Sequence, residues 1–100
     1  MSTPEVRHEP ERSRWAAYLD GEEAGFAEYA LREDPAAIVF THTVTRPEHG
    51  GKGVATALMD AAIAQVREAD ADGVGRPVVP ACSFVGAWFD KHPDEADLLA

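Results

Sequence analysis

The segment Thr45-Arg46-Pro47-Glu48-His49-Gly50-Gly51-Lys52-Gly53-Val54-Ala55 concentrates the residue types that hold an anion. Glycines at 50, 51 and 53 let a ligand approach the backbone with no Cβ in the way. If a helix opens at Val54, the N–H groups of Gly51, Gly53 and Val54 have no acceptor within it. The helix dipole then adds partial positive charge at the same spot. Lys52 and Arg46 supply full charges. A Walker-type loop would need glycine at 46 and Ser or Thr after the lysine, where Arg46 and Gly53 stand. A dinucleotide fingerprint starting at Gly51 would need glycine at 56, which is Thr56. What remains is an anion site of another kind, or simply a tight turn from strand to helix.

Two further side chains could do chemistry. Cys82, the one cysteine of the chain, stands where a short strand would meet a helix N-terminus. Such a place lowers a thiol's pKa and exposes its sulfur, although a lone cysteine is also a small buried hydrophobe. His42 stands in a β-branched run close before the glycine loop, with Ile38, Phe40 and Val44 expected on its own face. It reads as a base that titrates near neutral pH, or as a core histidine bonded to backbone. His49 and His92 read as solvent-facing. The histidines and Cys82 fall in no metal-ligand spacing, so no metal is expected.

These residues need elements to hold them. Arg14 to Leu19 alternates as a strand with Trp15, Ala17 and Leu19 on one side. Asp20 to Gly25 is rich in turn residues, and Gly25 to Arg32 alternates again. After Asp34-Pro35, the run AIVFTHTVT from Ala37 to Thr45 is the clearest strand. The period then changes. From Val54 to Ala69, residues Ala55, Leu58, Met59, Ala62, Val66 and Ala69 recur at helical spacing, with an end expected near Asp72-Gly73. Arg76 to Ala81 reads as a short strand parallel to Ala37–Thr45, reached by a right-handed crossover. Ser83 caps a last helix from Phe84 to Lys91, stopped by His92-Pro93. The fold expected is an α/β mixed sheet, an antiparallel meander followed by strand, loop, helix, strand and helix. Residues 1–12 are expected to be loose or a short edge strand, and 94–100 loosely held.

One hundred residues suit one domain around one core, and 45% apolar residues with eight aromatics argue against disorder. Eighteen acidic and nine basic residues give a net charge of −9. Such a surface repels a phosphate backbone, which disfavours nucleic acid and favours a cationic small molecule or basic peptide. The start carries no apolar stretch and no segment is long and apolar enough to span a bilayer, so no membrane association and a cytoplasmic setting are expected.

Gly51-Lys52-Gly53-Val54-Ala55 opening an amphipathic helix resembles the acyl-CoA pyrophosphate loop of the GNAT N-acetyltransferase superfamily. The order of His42-Thr43-Val44, the loop, the helix, Val79-Pro80-Ala81-Cys82-Ser83-Phe84-Val85 and Lys91-His92-Pro93-Asp94 is similar to its short stand-alone branch. The resemblance runs from about Leu19 to Asp94. It implies a sheet that splays open between the strands ending at Val44 and Pro80, with acetyl-CoA threading the gap. The cofactor residues implied are Val44, Arg46, Gly50, Gly51, Lys52, Gly53, Val54 and Ala55. It also implies Cys82 as the acyl-accepting group and an amine as acceptor; with His42 read from its position as the base, Cys82 and His42 are expected to flank the thioester. A non-catalytic CoA-binding or regulatory module is the alternative. The superfamily pattern sets a basic residue where Glu48 stands and often Arg where Gly50 stands, leaving Lys52 and Arg46 as the cations.

Overall fold

The structure, a computed structural model, describes residues 3–68 and 73–100. Five strands form one sheet in the order β1-β2-β3-β4-β5: Glu5–Glu9, Arg14–Leu19, Glu22–Arg32, Ala37–Thr45 and Val78–Pro80. The first four are antiparallel neighbours, and β5 runs parallel to β4. Helix α1, Val54–Glu68, makes the crossover between β4 and β5, and α2, Ser83–Lys91, follows β5. The mixed sheet with its β-loop-α-β-α second half is the architecture expected from the sequence.

Local chemistry explains most boundaries. Asp20 and Gly21 have φ of 52° and 82°, the left-handed pair of a two-residue hairpin turn, so β3 starts at Glu22 rather than Gly25. One face of the sheet carries Trp15, Ala17, Tyr29, Ile38 and Phe40, and α1 lays Val54, Leu58, Met59, Ala62, Ile63 and Val66 upon it. Val54, not Ala55, opens that stripe, and Ile63 belongs to it. The expected helix end at Ala69 and Asp72 lies outside the described residues. From α2, Val85, Trp88 and Phe89 join the same core, and Trp88 Nε1–H donates to Asp60 Oδ1 on α1 at 3.1 Å. Both helices thus feed one core, and the other sheet face carries no helix among the described residues.

Of the two readings of the start, loose or a short edge strand, the second is the one found, and the tail expected to be loosely held is docked. Glu5–Glu9 is the edge strand β1, and His8 stacks on Trp15 with ring centroids 4.4 Å apart. The tail turns through Pro93–Leu98, Arg67 reaches both Glu95 and Asp97, and the Ala100 N–H donates to the Val78 carbonyl at 2.9 Å. Partners distant in sequence hold both segments, which local composition does not reveal.

Gly25 fixes how closely β3, β4 and the start of α1 pack. A Cβ there would overlap the Val44 carbonyl oxygen and sit 3.0 Å from Val54 Cγ1 and 3.2 Å from Thr45 Cα. The obstruction is backbone and cannot rotate away. Gly25→Ala is expected to lower unfolding free energy by about 2–3 kcal/mol in a urea titration, since overpacking of this kind costs that much. An unchanged midpoint would show that the strands are free to move apart here.

Candidate functional site

The last β4–β5 pair is Phe40 with Pro80. Pro80 has no N–H to continue the ladder, and the chain turns into α2, with the Cys82 N–H donating to the Phe40 carbonyl at 3.0 Å. β4 nevertheless runs on to Thr45, so from Thr41 onward its outer edge has no strand partner. The splay lies at the carboxyl end of the parallel pair, the end at which open α/β sheets place their ligands.

Along this free edge, β4 carries one extra residue. Tyr29 pairs with Phe40 and Glu28 with His42, leaving Thr41 as a bulge whose hydroxyl donates to the Glu28 carbonyl at 3.4 Å. A one-residue insertion inverts the side-chain alternation beyond it. Ile38 and Phe40 are therefore buried on the helix face, whereas His42 and Val44 emerge on the open face. This corrects the expectation that all four share a face. His42 is exposed rather than a core histidine, and Val44 is 38% exposed.

Thr43 points to the helix face, and there it meets Cys82. Sγ and Thr43 Oγ1 are 3.6 Å apart. Burial pushes the Cys82 thiol up, but the Thr43 hydroxyl and the backbone N–H groups of Val85, Phe84 and Thr43 outweigh it, leaving the pKa below the ordinary thiol range. The sulfur occupies the N-cap of α2, where the free amides of the first turn favour an anion. Cys82, not Ser83, stands at the N-cap position, without a side-chain capping hydrogen bond. Because neighbouring residues of a strand face opposite ways, Cys82 lies on the helix side of β4 and His42 on the open side.

Beyond Thr45 the chain makes a short turn, Pro47–His49, and enters the glycines. Gly51 and Gly53 have φ of 79° and 76°, the left-handed region that glycine adopts without strain, and nothing lies within 4 Å of a Cβ built on either. The first helical turn closes with the Ala57 N–H on the Gly53 carbonyl at 3.0 Å. Among the described residues, no backbone carbonyl accepts the N–H groups of Gly51, Lys52, Gly53, Val54, Ala55 or Thr56. The run of free donors matches the sequence reading with two changes. The Gly50 N–H is already bonded to the Pro47 carbonyl at 3.2 Å, and the Val54 side chain is buried, so Val54 offers its amide alone.

The loop is tied to the β2–β3 hairpin. Arg46 pairs with Glu23, which also holds Arg14 at 2.8 Å, and His49 Nε2 bonds Glu22 Oε1 at 2.9 Å. His49 is thus largely buried, with its Nδ1 unpartnered, and not solvent-facing. Burial pushes Glu23 up, but Arg46 and then Arg14 outweigh it and hold its carboxyl below the usual range. Support from this pair is therefore present above the usual carboxylate pKa and lost as pH falls through the depressed one. Lys52 is exposed and makes no ion pair with a described residue.

A mostly apolar surface depression of about 480 Å³ lies at the other end of β4, lined by Asp34, Pro35, Ala37, Pro77 and Val79. It holds none of these groups. No group of three His, Cys, Asp or Glu side chains among the described residues is placed to hold a metal ion. No described helix is long and apolar enough to cross a membrane.

Compared with known protein families, residues 14–98 match the family described as GCN5-related N-acetyl-transferase. The chain belongs to that family. The match takes in the open edge of β4, the glycine loop, Cys82 and the docked tail, and leaves β1 outside it. No curated protein matches the chain. Membership makes this an acetyltransferase-family chain, and the sheet-and-crossover architecture agrees with the GNAT fold.

Proposed function

We propose that the chain is an acetyl-CoA-dependent N-acetyltransferase acting on an amine. The observation that carries this reading is the run of unpaired amides from Gly51 to Thr56, beside an unpaired strand edge. That is a site for a phosphate-bearing head with an extended arm. The residues fit: two left-handed glycines have open space above them, the N-terminus of α1 adds positive potential, and Lys52 carries a free charge. Gly51, Lys52, Gly53, Val54 and Ala55 would hold the pyrophosphate through backbone N–H groups. Gly50 shapes the entry to the loop, and Val44 offers apolar contact. Arg46 would reach a phosphate only by leaving Glu23.

Acetyl-CoA, when bound, supplies an acetyl group activated as a thioester. The protein's part falls to groups on the two sides of β4. Cys82, held toward the thiolate at the α2 N-terminus, would serve as the nucleophile that takes the acetyl group, with CoA departing as its thiolate. The acceptor nitrogen then attacks the acetyl carbon on Sγ, and His42, on the open side, takes the proton the amine must lose. Sγ leaves as the thiolate it was. An amine or a basic peptide is the acceptor that an overall charge of −9 would attract. A cytoplasmic setting suits the free thiol and the cofactor.

The test is release of CoA thiol from acetyl-CoA across a panel of amines, with mass spectrometry of the acceptor. Amine-dependent release and an acetylated acceptor support the transferase. Tight binding with no release under any amine would instead make the chain a CoA-binding module.

A further inference from the structure

Two neighbouring carboxylates at the start of β3 occupy the side-chain donors that lead into the glycine loop. Glu23 accepts from the Arg46 guanidinium, and Glu22 Oε1 accepts from His49 Nε2–H at 2.9 Å. Burial pushes the Glu23 carboxyl up, but Arg46 and Arg14 hold it below the usual range, so it is charged at neutral pH and keeps Arg46 engaged. The path of the loop does not rest on these pairs alone. The Arg46 N–H donates to the Ala24 carbonyl at 2.8 Å, the His49 N–H to the Arg46 carbonyl at 2.9 Å and the Gly50 N–H to the Pro47 carbonyl at 3.2 Å. The two side chains can therefore change partners while the backbone keeps its own bonds.

Neither donor has a partner of its own in full. The His49 side chain is only 11% exposed, yet its Nδ1 is buried without a hydrogen-bond partner, a state that costs free energy. Arg46 is half-exposed and shares Glu23 with Arg14, which holds the other carboxylate oxygen at 2.8 Å. A phosphate brings more charge and more acceptor oxygens than a carboxylate, and it matches the fork of a guanidinium. We infer that Glu22 and Glu23 are internal stand-ins for the cofactor's phosphates, and that acetyl-CoA binds by exchange, taking His49 and Arg46 from them. This rests on the CoA-site reading and adds to it two phosphate-binding side chains and a built-in competitor. Cofactor affinity is then the difference between two partners of the same donors.

The test is calorimetric titration of acetyl-CoA into the intact protein, Glu22→Gln and Glu23→Gln, with Glu48→Gln as the control. Glu48 is exposed, lies in the same loop and makes no ion pair with a described residue, so its variant removes the same charge without freeing a donor. Glu22→Gln and Glu23→Gln are each expected to tighten binding about fivefold, the scale of one charge pair near the surface, and Glu48→Gln less than about twofold. The gain should vanish when the freed donor is removed as well, in Glu22→Gln with His49→Gln and in Glu23→Gln with Arg46→Gln. Glu22 is exposed, so its variant keeps the test alive even if Glu23→Gln, which also loosens Arg14, fails to fold. Unchanged or weaker binding in the carboxylate variants overturns the inference, as does a gain that Glu48→Gln matches or that survives loss of the donor. If no protein binds acetyl-CoA, the cofactor reading fails, and inorganic pyrophosphate is titrated in its place. Tighter pyrophosphate binding by the two carboxylate variants than by wild type supports the exchange, and equal or absent binding overturns it.

Discussion

Cys82→Ala is expected to lower kcat for amine acetylation by about a thousandfold, the scale of losing an activated nucleophile. The expectation comes from the surroundings of Sγ. The Thr43 hydroxyl and three backbone N–H groups favour the charged form more than burial opposes it. Two companion measurements isolate the cause. Incubation with acetyl-CoA and no amine should leave one acetyl group on Cys82 by peptide mass spectrometry. The rate of Cys82 alkylation should rise with pH along a limb displaced below that of free cysteine, because a lowered pKa brings the thiolate in earlier. Thr43→Val removes one donor and should move that limb back up. Full activity in Cys82→Ala would dismiss the covalent route and leave direct attack by the amine.

Gly51→Glu should weaken acetyl-CoA binding at least about a hundredfold, for two separable reasons. Any side chain at φ of 79° is strained by about 1–2 kcal/mol if the loop keeps its shape. A carboxylate also sets a like charge where the phosphates would lie. Gly51→Ala separates them. Nothing lies within 4 Å of its added Cβ, so its loss is conformational alone, about tenfold or a little more. Equal losses in the two variants would mean that charge at this position is irrelevant and that no phosphate sits there.

How far the sequence foretold this site can be traced residue by residue. The glycine loop between β4 and α1 was legible because the hydrophobic period switches from two to 3.6 across it, and both periods are local. Cys82 was legible for the same reason, standing between a short apolar strand and a helical pattern. The face of His42 was not. The run AIVFTHTVT opens with four consecutive apolar residues and carries one more at Val44, and nothing in it marks Thr41 as a bulge. The bulge is set by how β4 pairs with β3, Tyr29 taking Phe40 and Glu28 taking His42. For this reason His42 and Cys82, placed together from sequence, lie on opposite sides of β4. The pairing of Arg46 with Glu23 and the docking of the tail on Arg67 were illegible because each joins residues distant in sequence.

The central claim is that the amides from Gly51 to Thr56 and the free edge of β4 form a CoA site. Calorimetric titration of the intact protein with acetyl-CoA, free CoA and ATP tests it most directly. The account predicts that both CoA species bind and that ATP, which has phosphates but no arm to lie along β4, binds much more weakly. Absence of binding by either CoA species at high micromolar concentration would contradict it and reduce the glycines to a tight turn between strand and helix.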